Sequence, residues 1–319
     1  MNDSSRSARF RHTEEVDFVV IGSGAAGGVM ARELSRSGLS VVVLEQGPHW
    51  APSDFRHDEW AYLFNNELTW GIEHGHPQTF RKSAEKEAVI WTEYGPCLYA
   101  HVVGGSHAHF SGNYWRRRPI DFKERSVLGP ISGTNFVDWP ISYEDLEPYY
   151  TRVDWEVGVS GIEGPSDPPR SKGYPCPPMP VKSPGVLLER AGKKLGLHPY
   201  PAPVAILSQP HNGRPACIHC GFCNGSACEV GAKGSSHLVM IPAAEATGCC
   251  EIRSLSTAFR IETNTAGRVT EVKYYDAEGN EHSQKAKAVV LSANGAETPR
   301  LLLLSESSRF PEGLANSSG

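Results

Sequence analysis

The first forty-five residues carry the clearest hydrophobic pattern in the chain. Residues 16–21 (VDFVVI) form a short apolar run that ends in glycines, which predicts a buried strand. Ala26, Met30 and Leu34 follow at four-residue spacing and Gly38 closes the segment, so residues 25–37 predict a helix with a glycine stop. Residues 39–44 (LSVVVL) predict a second buried strand, and the three elements make a βαβ unit with a right-handed crossover. Residues 46–135 lack clear periodicity and predict long loops with short helices. Residues 143–159 predict a helix whose acidic first turn suits the helix dipole. A proline-rich connector over 161–181 leads to another helix over 184–197. From 251 the pattern turns to strands at 258–263, 268–275 and 286–292, separated by Ala266-Gly267 and by residues 277–280. This predicts an antiparallel meander running into a buried strand. A helix over 296–304 follows, with Pro299 tolerated only in its first turn.

These elements define an α/β fold: a Rossmann-like unit with a meander, plus part of a second, substrate-side layer. The expected division is a flexible tail over 1–14, a cofactor-binding segment over 15–160, a connector with a partial second layer over 161–250, and a return to the first domain over 251–319. With 39% hydrophobic and 21% charged residues, the chain composition is that of neither a membrane-spanning nor a disordered protein. Its 32 glycines and 24 prolines point to many turns. A net charge of −5 with no basic block argues against a nucleic-acid partner. No run of 18 apolar residues predicts a bilayer-spanning helix, and residues 1–15 lack the apolar centre of a secretory signal.

The sharpest motif is Gly22-Ser23-Gly24-Ala25-Ala26-Gly27, placed between a strand and a helix. Gly22 permits the tight turn, Gly24 lets backbone approach a pyrophosphate, and Gly27 lets helix and strand pack closely. Glu45, at the end of the second strand, has the position of a carboxylate that accepts from ribose hydroxyls. A long irregular stretch after Glu45, a second glycine cluster at Gly104-Gly105-Ser106 and the late meander ending in Ser292-Ala293-Asn294-Gly295 favour FAD over NAD. An NAD enzyme predicts a second alternating half after residue 50.

Of eight cysteines, Cys217, Cys220, Cys223 and Cys228 form one group. Their spacing fits an iron–sulfur cluster, zinc, or a set of thiols or disulfides, and the three readings stay open here. Cys97, Cys176, Cys249 and Cys250 read as packing residues. The seven tryptophans read as packing residues rather than sugar-stacking platforms. Arg116-Arg117-Arg118 reads either as a contact for an acidic substrate or the FAD phosphates, or as a solvated basic turn. His107 and His109 read either as flavin-side residues or as structural ones.

Segments over residues 15–318 resemble the glucose–methanol–choline (GMC) oxidoreductase family. They are the opening VDFVVIGSGAAGGVMARELSRSGLSVVVLEQG, then VVGGSHAHFSGNYWRRRPIDF, DWPISYEDLEPYYTRVDWEVGVSG, the cysteine stretch, and AVVLSANGAETPRLLLLSES. The cysteine stretch, with Gly231-Ala232-Lys233, is similar to the branch of bacterial membrane-associated sugar-acid and polyol dehydrogenases that includes the gluconate 2-dehydrogenase flavoprotein subunit. The resemblance implies FAD held at its ADP end by Gly22, Gly24, Gly27 and Glu45. It implies Gly104, Gly105 and Ser106 along the pyrophosphate and flavin side, Asn113 as a flavin-side contact, and Ala258 facing adenine. Ala293, Asn294 and Gly295 match small residues that approach the cofactor, although Asn294 stands where glycine is usual. The implied chemistry is hydride transfer from an alcohol carbon to flavin N5, with the electrons passed to a carrier. The implied partners are a cytochrome, reached through an iron–sulfur cluster on the cysteines, and a small accessory subunit. The implied location is a periplasmic-side membrane complex, or the cytoplasm without an exported partner. The family's base is a histidine in a later region, so the expectation is a chain that stops before its catalytic portion, with no catalytic residue named. The alternative is a cofactor-binding remnant or electron-transfer module without turnover.

Overall fold

The computed structural model describes residues 9–55, 57, 58, 60, 79–83, 85–90 and 99–316. Cys97, Trp70 and Trp91 lie outside the described residues. The chain divides into two compact units. One comprises Met1–Phe110, Gly225–Glu229 and Ser235–Gly319, and the other Ser111–Asn224 and Val230–Gly234.

In the first unit, strand β1 (Val16–Ile21), helix α1 (Ala25–Arg36) and strand β2 (Val41–Leu44) form the expected βαβ unit. A two-stranded ribbon of β3 (Thr79–Phe80) and β4 (Val89–Ile90) follows. In the second unit, α2 (Glu124–Leu128), α3 (Tyr143–Val157) and α4 (Ser183–Lys194) are joined by irregular chain. The first unit resumes with α5 (Ile241–Glu245) and strands β5 (Cys250–Arg253), β6 (Thr257–Thr263), β7 (Val269–Tyr275) and β8 (Glu281–Leu291), and then α6 (Asn294–Leu304).

The main sheet has the order β5-β2-β1-β8-β7-β6. Strand β1 lies parallel to both β2 and β8, and β2 lies parallel to β5. Strand β8 makes both kinds of pairing within this sheet. Its first half, at Glu281 to Lys285, pairs antiparallel with β7, and its second half, at Ala286 to Leu291, pairs parallel with β1. Side chains alternate across a strand, which explains why the β1 and β2 sequences are apolar throughout. Val19, Ile21, Val42 and Leu44 pack on one face with Ile261, Val272 and Leu301. Val20, Val41 and Val43 pack on the other with Ala31, Ile241 and Cys250. Burial pushes the Cys250 thiol up to about 12, in keeping with a packing residue.

Two expectations change. Residues 9–14 are strapped to the sheet rather than loose. The Arg9 and Phe10 amides donate to Glu251 Oε2 at 3.0 and 2.8 Å, and Gln284 Nε2 donates to the Glu14 carbonyl at 2.6 Å. Helix α6 starts two residues early, which puts Pro299 in its interior instead of its first turn. Asn294 sets that start: it adopts φ +74°, and its Oδ1 accepts from the Ala296 and Glu297 amides at 2.8 and 3.0 Å. Asparagine tolerates this left-handed conformation, so it can stand where a glycine is usual.

In the second unit a capping box fixes the start of α3. The Asp145 amide donates to Ser142 Oγ at 3.2 Å and the Ser142 amide donates to Asp145 Oδ2 at 2.9 Å. The same helix presents Glu147, Thr151 and Asp154 to Arg116, which is 9% exposed. Arg116 donates to Asp154 Oδ2 through Nη2 at 2.7 Å, to Glu147 Oε1 at 3.0 Å and to Thr151 Oγ1 at 2.9 Å. Arg170 also donates to Asp154. Arg116 is therefore an internal strut rather than a ligand contact or a solvated turn. The tryptophan expectation also fails in part: Trp60, Trp115 and Trp139 are largely exposed.

Candidate functional site

The parallel strands β1, β2 and β8 bring their carboxyl ends together, and the chain leaves β1 toward β2 on one side while β8 arrives on the other. That is a topological switch point, where open α/β sheets bind ligands. A cavity of about 1060 Å³ opens there within the first unit. Its walls are the Gly22 to Ala26 turn, the end of β2 at Glu45, the Gly105 to His107 turn, the Ser256 to Ala258 corner and the Leu291 to Asn294 turn into α6.

The three glycines of the fingerprint have separate physical reasons. Gly22 has φ +92°, and a Cβ there would lie 2.5 Å from the Ser292 carbonyl oxygen. A Cβ on Gly27 would lie 1.9 Å from the Gly22 carbonyl oxygen. A Cβ on Gly24 would meet nothing within 4 Å. The protein does not need glycine at 24 for its own packing, but a ligand that closes on the backbone does. Gly24 also precedes α1, whose first amides and positive dipole end suit a phosphate.

Glu45 is 5% exposed and is held by three donors. Ser23 donates to its Oε2 from the amide at 3.0 Å and from the hydroxyl at 2.6 Å, and the Gly47 amide donates to Oε1 at 3.0 Å. Burial raises the Glu45 carboxyl above its ordinary value of 4.5, and these donors pull against that rise. Ser23 Oγ also accepts the Gly104 amide at 2.8 Å, so one buried hydroxyl ties the fingerprint turn, the end of β2 and the second glycine cluster. Ser236 adds a fourth segment by donating its hydroxyl to the Ser23 carbonyl at 2.8 Å. Neither Ser23 nor Ser236 is evident as a site residue from the sequence. Ser23 is the variable letter inside the glycine motif, and Ser236 has no local signal at all.

Gly22, Gly24, Glu45, Gly105, Ser106, Ala258, Ala293 and Asn294 line the cavity together. Gly27, Gly104 and Gly295 are not in its wall. Gly27 and Gly104 act from behind it, since a Cβ on Gly104 would lie 2.6 Å from the His237 Cβ. Asn113 belongs to the second unit, where it bridges to Val204 and donates to Ser111 Oγ at 3.3 Å. His107 lines the cavity, and His109 does not.

The cysteine run is not assembled as a ligand set. Among the described residues no three His, Cys, Asp or Glu side chains come together as a metal-holding group. Positive φ at His219, Gly221 and Gly225 turns the chain repeatedly between these cysteines, and Cys228 is buried in the first unit while Cys217, Cys220 and Cys223 belong to the second. Among the described residues, no helix is long and apolar enough to cross a membrane.

The fold and the cavity define a dinucleotide-binding type of site, walled by the first βαβ unit, the Gly105 to His107 turn and the start of the meander. The chain belongs to the GMC oxidoreductase family. Residues 180–309 match the family model described as GMC oxidoreductase, and residues 20–82 match an NAD(P)-binding Rossmann-like domain. The chain is 35% identical over 308 residues to 2-methyl-1,2-propanediol dehydrogenase of Mycolicibacterium austroafricanum, covering 96% of this chain and 54% of that protein. It is 33% identical to the fructose dehydrogenase large subunit of Gluconobacter japonicus, covering 96% and 57%. It is 32% identical to the gluconate 2-dehydrogenase flavoprotein of Pantoea cypripedii, covering 92% and 52%. The chain thus spans about half the length of the curated relatives it matches. Among solved structures, pyridoxine 4-oxidase from Mesorbium loti shares the fold with a TM-score of 0.57 at 19% identity, covering 91% of this chain and 52% of that one.

Proposed function

We propose that this chain is the FAD-binding portion of an oxidoreductase that acts on CH–OH groups of polyols, sugars or sugar acids and passes the electrons to a carrier. The observation that carries the reading is the Gly24 cradle: open space for a pyrophosphate above a helix N-terminus, flanked by a buried carboxylate at the end of β2. The residues present fit FAD. Gly24 and the α1 amides would take the pyrophosphate, Glu45 would take the ribose hydroxyls, and Ala258, Ala293 and Asn294 leave room along the far wall. When bound, FAD supplies the hydride acceptor for oxidation of an alcohol carbon. The chain's own part is to bind and orient that group and to hold the glycine turns in register through Ser23 and Ser236.

The match to an NAD(P)-binding domain supports a nicotinamide reading of the same cradle. The topology argues against it, because among the described residues the sheet is completed after β2 by the parallel strands β5 and β8 and the antiparallel strands β6 and β7 rather than by a second alternating half. Titration of the purified chain with FAD and with NAD separates the two: FAD saturates the site, and saturation by NAD alone overturns the reading. Dye reduction with a panel of polyols, sugars and sugar acids then distinguishes turnover from cofactor binding alone. We place the whole protein in a periplasmic-side complex with a cytochrome and a small subunit, by resemblance to the sugar-acid dehydrogenase branch. Fractionation of cells expressing the full gene product tests that placement. No step is routed through the cysteine run. Iron and acid-labile sulfide in anaerobically purified protein would restore it to the electron path.

A further inference from the structure

Helix α4 of the second unit, Ser183–Lys194, is built inside out. A surface helix ordinarily turns its apolar stripe toward the core and its polar face to water. Here the buried residue of the helix is Gly192, and a Cβ there would lie 3.0 Å from Pro199 Cγ. A Cβ on Gly185 would likewise lie 2.8 Å from Val181 Cγ1. The helix approaches its own flanking chain through glycine, and its leucines face solvent. Leu187, Leu188 and Leu195 are 64%, 70% and 75% exposed. With Ala191 they fall within an arc of about 100° on the helical wheel, one stripe along the helix and its C-cap. On the same wheel Arg190 and Lys194 follow one border of the stripe. Lys182 Nζ lies 3.4 Å from His219 Nδ1, so the loop that carries the exposed Ile218 adjoins the start of the helix.

Charge identifies the occupant of this face. Residues 181–197 carry Lys182, Arg190, Lys193 and Lys194 against one acid, Glu189, which pairs with Lys193 at 2.6 Å. The segment is therefore +3 in a chain whose net charge is −5. A leucine stripe bordered by cations suits a helix that lies in a bilayer interface, with its apolar side at the acyl boundary and its cations among anionic headgroups. An isologous pairing of two copies would instead set the same cations against each other. We propose that α4 docks the second unit on an anionic phospholipid surface, lying flat in the interface rather than spanning it. The inference stands independently of the FAD reading.

The test uses the purified chain with two kinds of vesicle, phosphatidylcholine alone and phosphatidylcholine mixed with phosphatidylglycerol. The chain is expected to co-sediment with the mixed vesicles, to bind the neutral ones weakly, and to be released by salt as the surface charge is screened. Amide hydrogen exchange is expected to slow over residues 183–197 on binding. Leu187→Gln combined with Leu188→Gln is expected to weaken binding by about tenfold or more, since both side chains leave the acyl boundary. Arg190→Gln combined with Lys194→Gln is expected to weaken binding to the mixed vesicles about 30-fold, at roughly fivefold per cation. All four side chains are exposed, so both variants should keep the wild-type melting midpoint and FAD retention. No association with the mixed vesicles, wild-type association by both variants, or slowed exchange confined to other segments overturns the proposal. Self-association that the leucine variant abolishes, without vesicle binding, overturns it in favour of a second copy. Each of these failures leaves the FAD reading intact.

Discussion

Replacing Glu45 by glutamine tests the electrostatics of the site at one atom pair. The carboxylate accepts three donors, two from Ser23 and one from Gly47, in a position only 5% exposed. Glutamine has one acceptor oxygen. If that oxygen faces Ser23, the amide NH₂ faces the Gly47 N–H, and one buried donor loses its partner at a cost of about 1–3 kcal/mol. Against this, the substitution removes a buried charge, so the net change in ligand-free stability near neutral pH is smaller than that cost. The sign of the pH effect is fixed by the raised carboxyl. A folded-state pKa above the unfolded 4.5 means the folded chain holds the proton longer as pH rises. Its stability contribution is therefore complete below 4.5 and is lost as pH climbs through the raised value. Glu45→Gln is expected to remove that sloping segment from a plot of unfolding free energy against pH. Ribose hydroxyls donate to the charged form and pull the carboxyl back down, so FAD affinity should rise with pH across the same window. The charge-assisted hydrogen bonds are worth about 1.5–3 kcal/mol, so Glu45→Gln should weaken FAD by roughly 10- to 100-fold. Calorimetric titrations over that pH range, paired with denaturant unfolding, measure both. Unchanged FAD affinity and an unchanged pH slope in the variant would refute the reasoning.

The glycines separate ligand space from packing space. Gly24→Val should bring the midpoint of thermal unfolding within a few degrees of wild type yet abolish FAD binding, whereas Gly27→Ala should cost stability by overpacking, about 1–3 kcal/mol or more. Both are read by thermal melts and flavin fluorescence. Arg116→Ala should destabilise the second unit by about 3 kcal/mol, because Glu147 loses its cation while Asp154 keeps only Arg170, and limited proteolysis between 111 and 224 reports it. Burial opposes ionisation of Glu147, but donors from Ser171, Thr151 and Arg116 win and hold its carboxyl at about 2. Its contribution is therefore present above 4.5 and lost as pH falls toward about 2, and Glu147→Gln should flatten that acid limb of unfolding.

How much of this could be read in the sequence depends on the range of the interactions. Residues 16–21, 25–37 and 39–44 announced β1, α1 and β2, because burial on both faces leaves a local apolar run and a glycine motif is contiguous. The cavity wall at Ala258 and Ala293 came from the family resemblance. The clamp of Ser23, Ser236, Gly104 and Glu45 joins segments more than two hundred residues apart, and serine carries no pattern that marks such a role. Arg116 lay hidden for the same reason: its partners on α3 are set by the packing of the second unit, so a run of three arginines read as a ligand contact or a solvated turn and not as an internal strut. Asn113 fell in a segment that resembles the family, and within the second unit it bridges to Val204, a partner ninety-one residues on that no local pattern marks.

The central claim is that the cavity at the ends of β1, β2 and β8 holds FAD through Gly24 and Glu45. Reconstitution of the purified chain with excess FAD, removal of free flavin and a stoichiometry measured from flavin absorbance tests it directly. Wild type is expected to retain one FAD per chain, and Gly24→Val none at matched folding. Retention of equal flavin by that variant, or none by the folded wild-type chain, would contradict it.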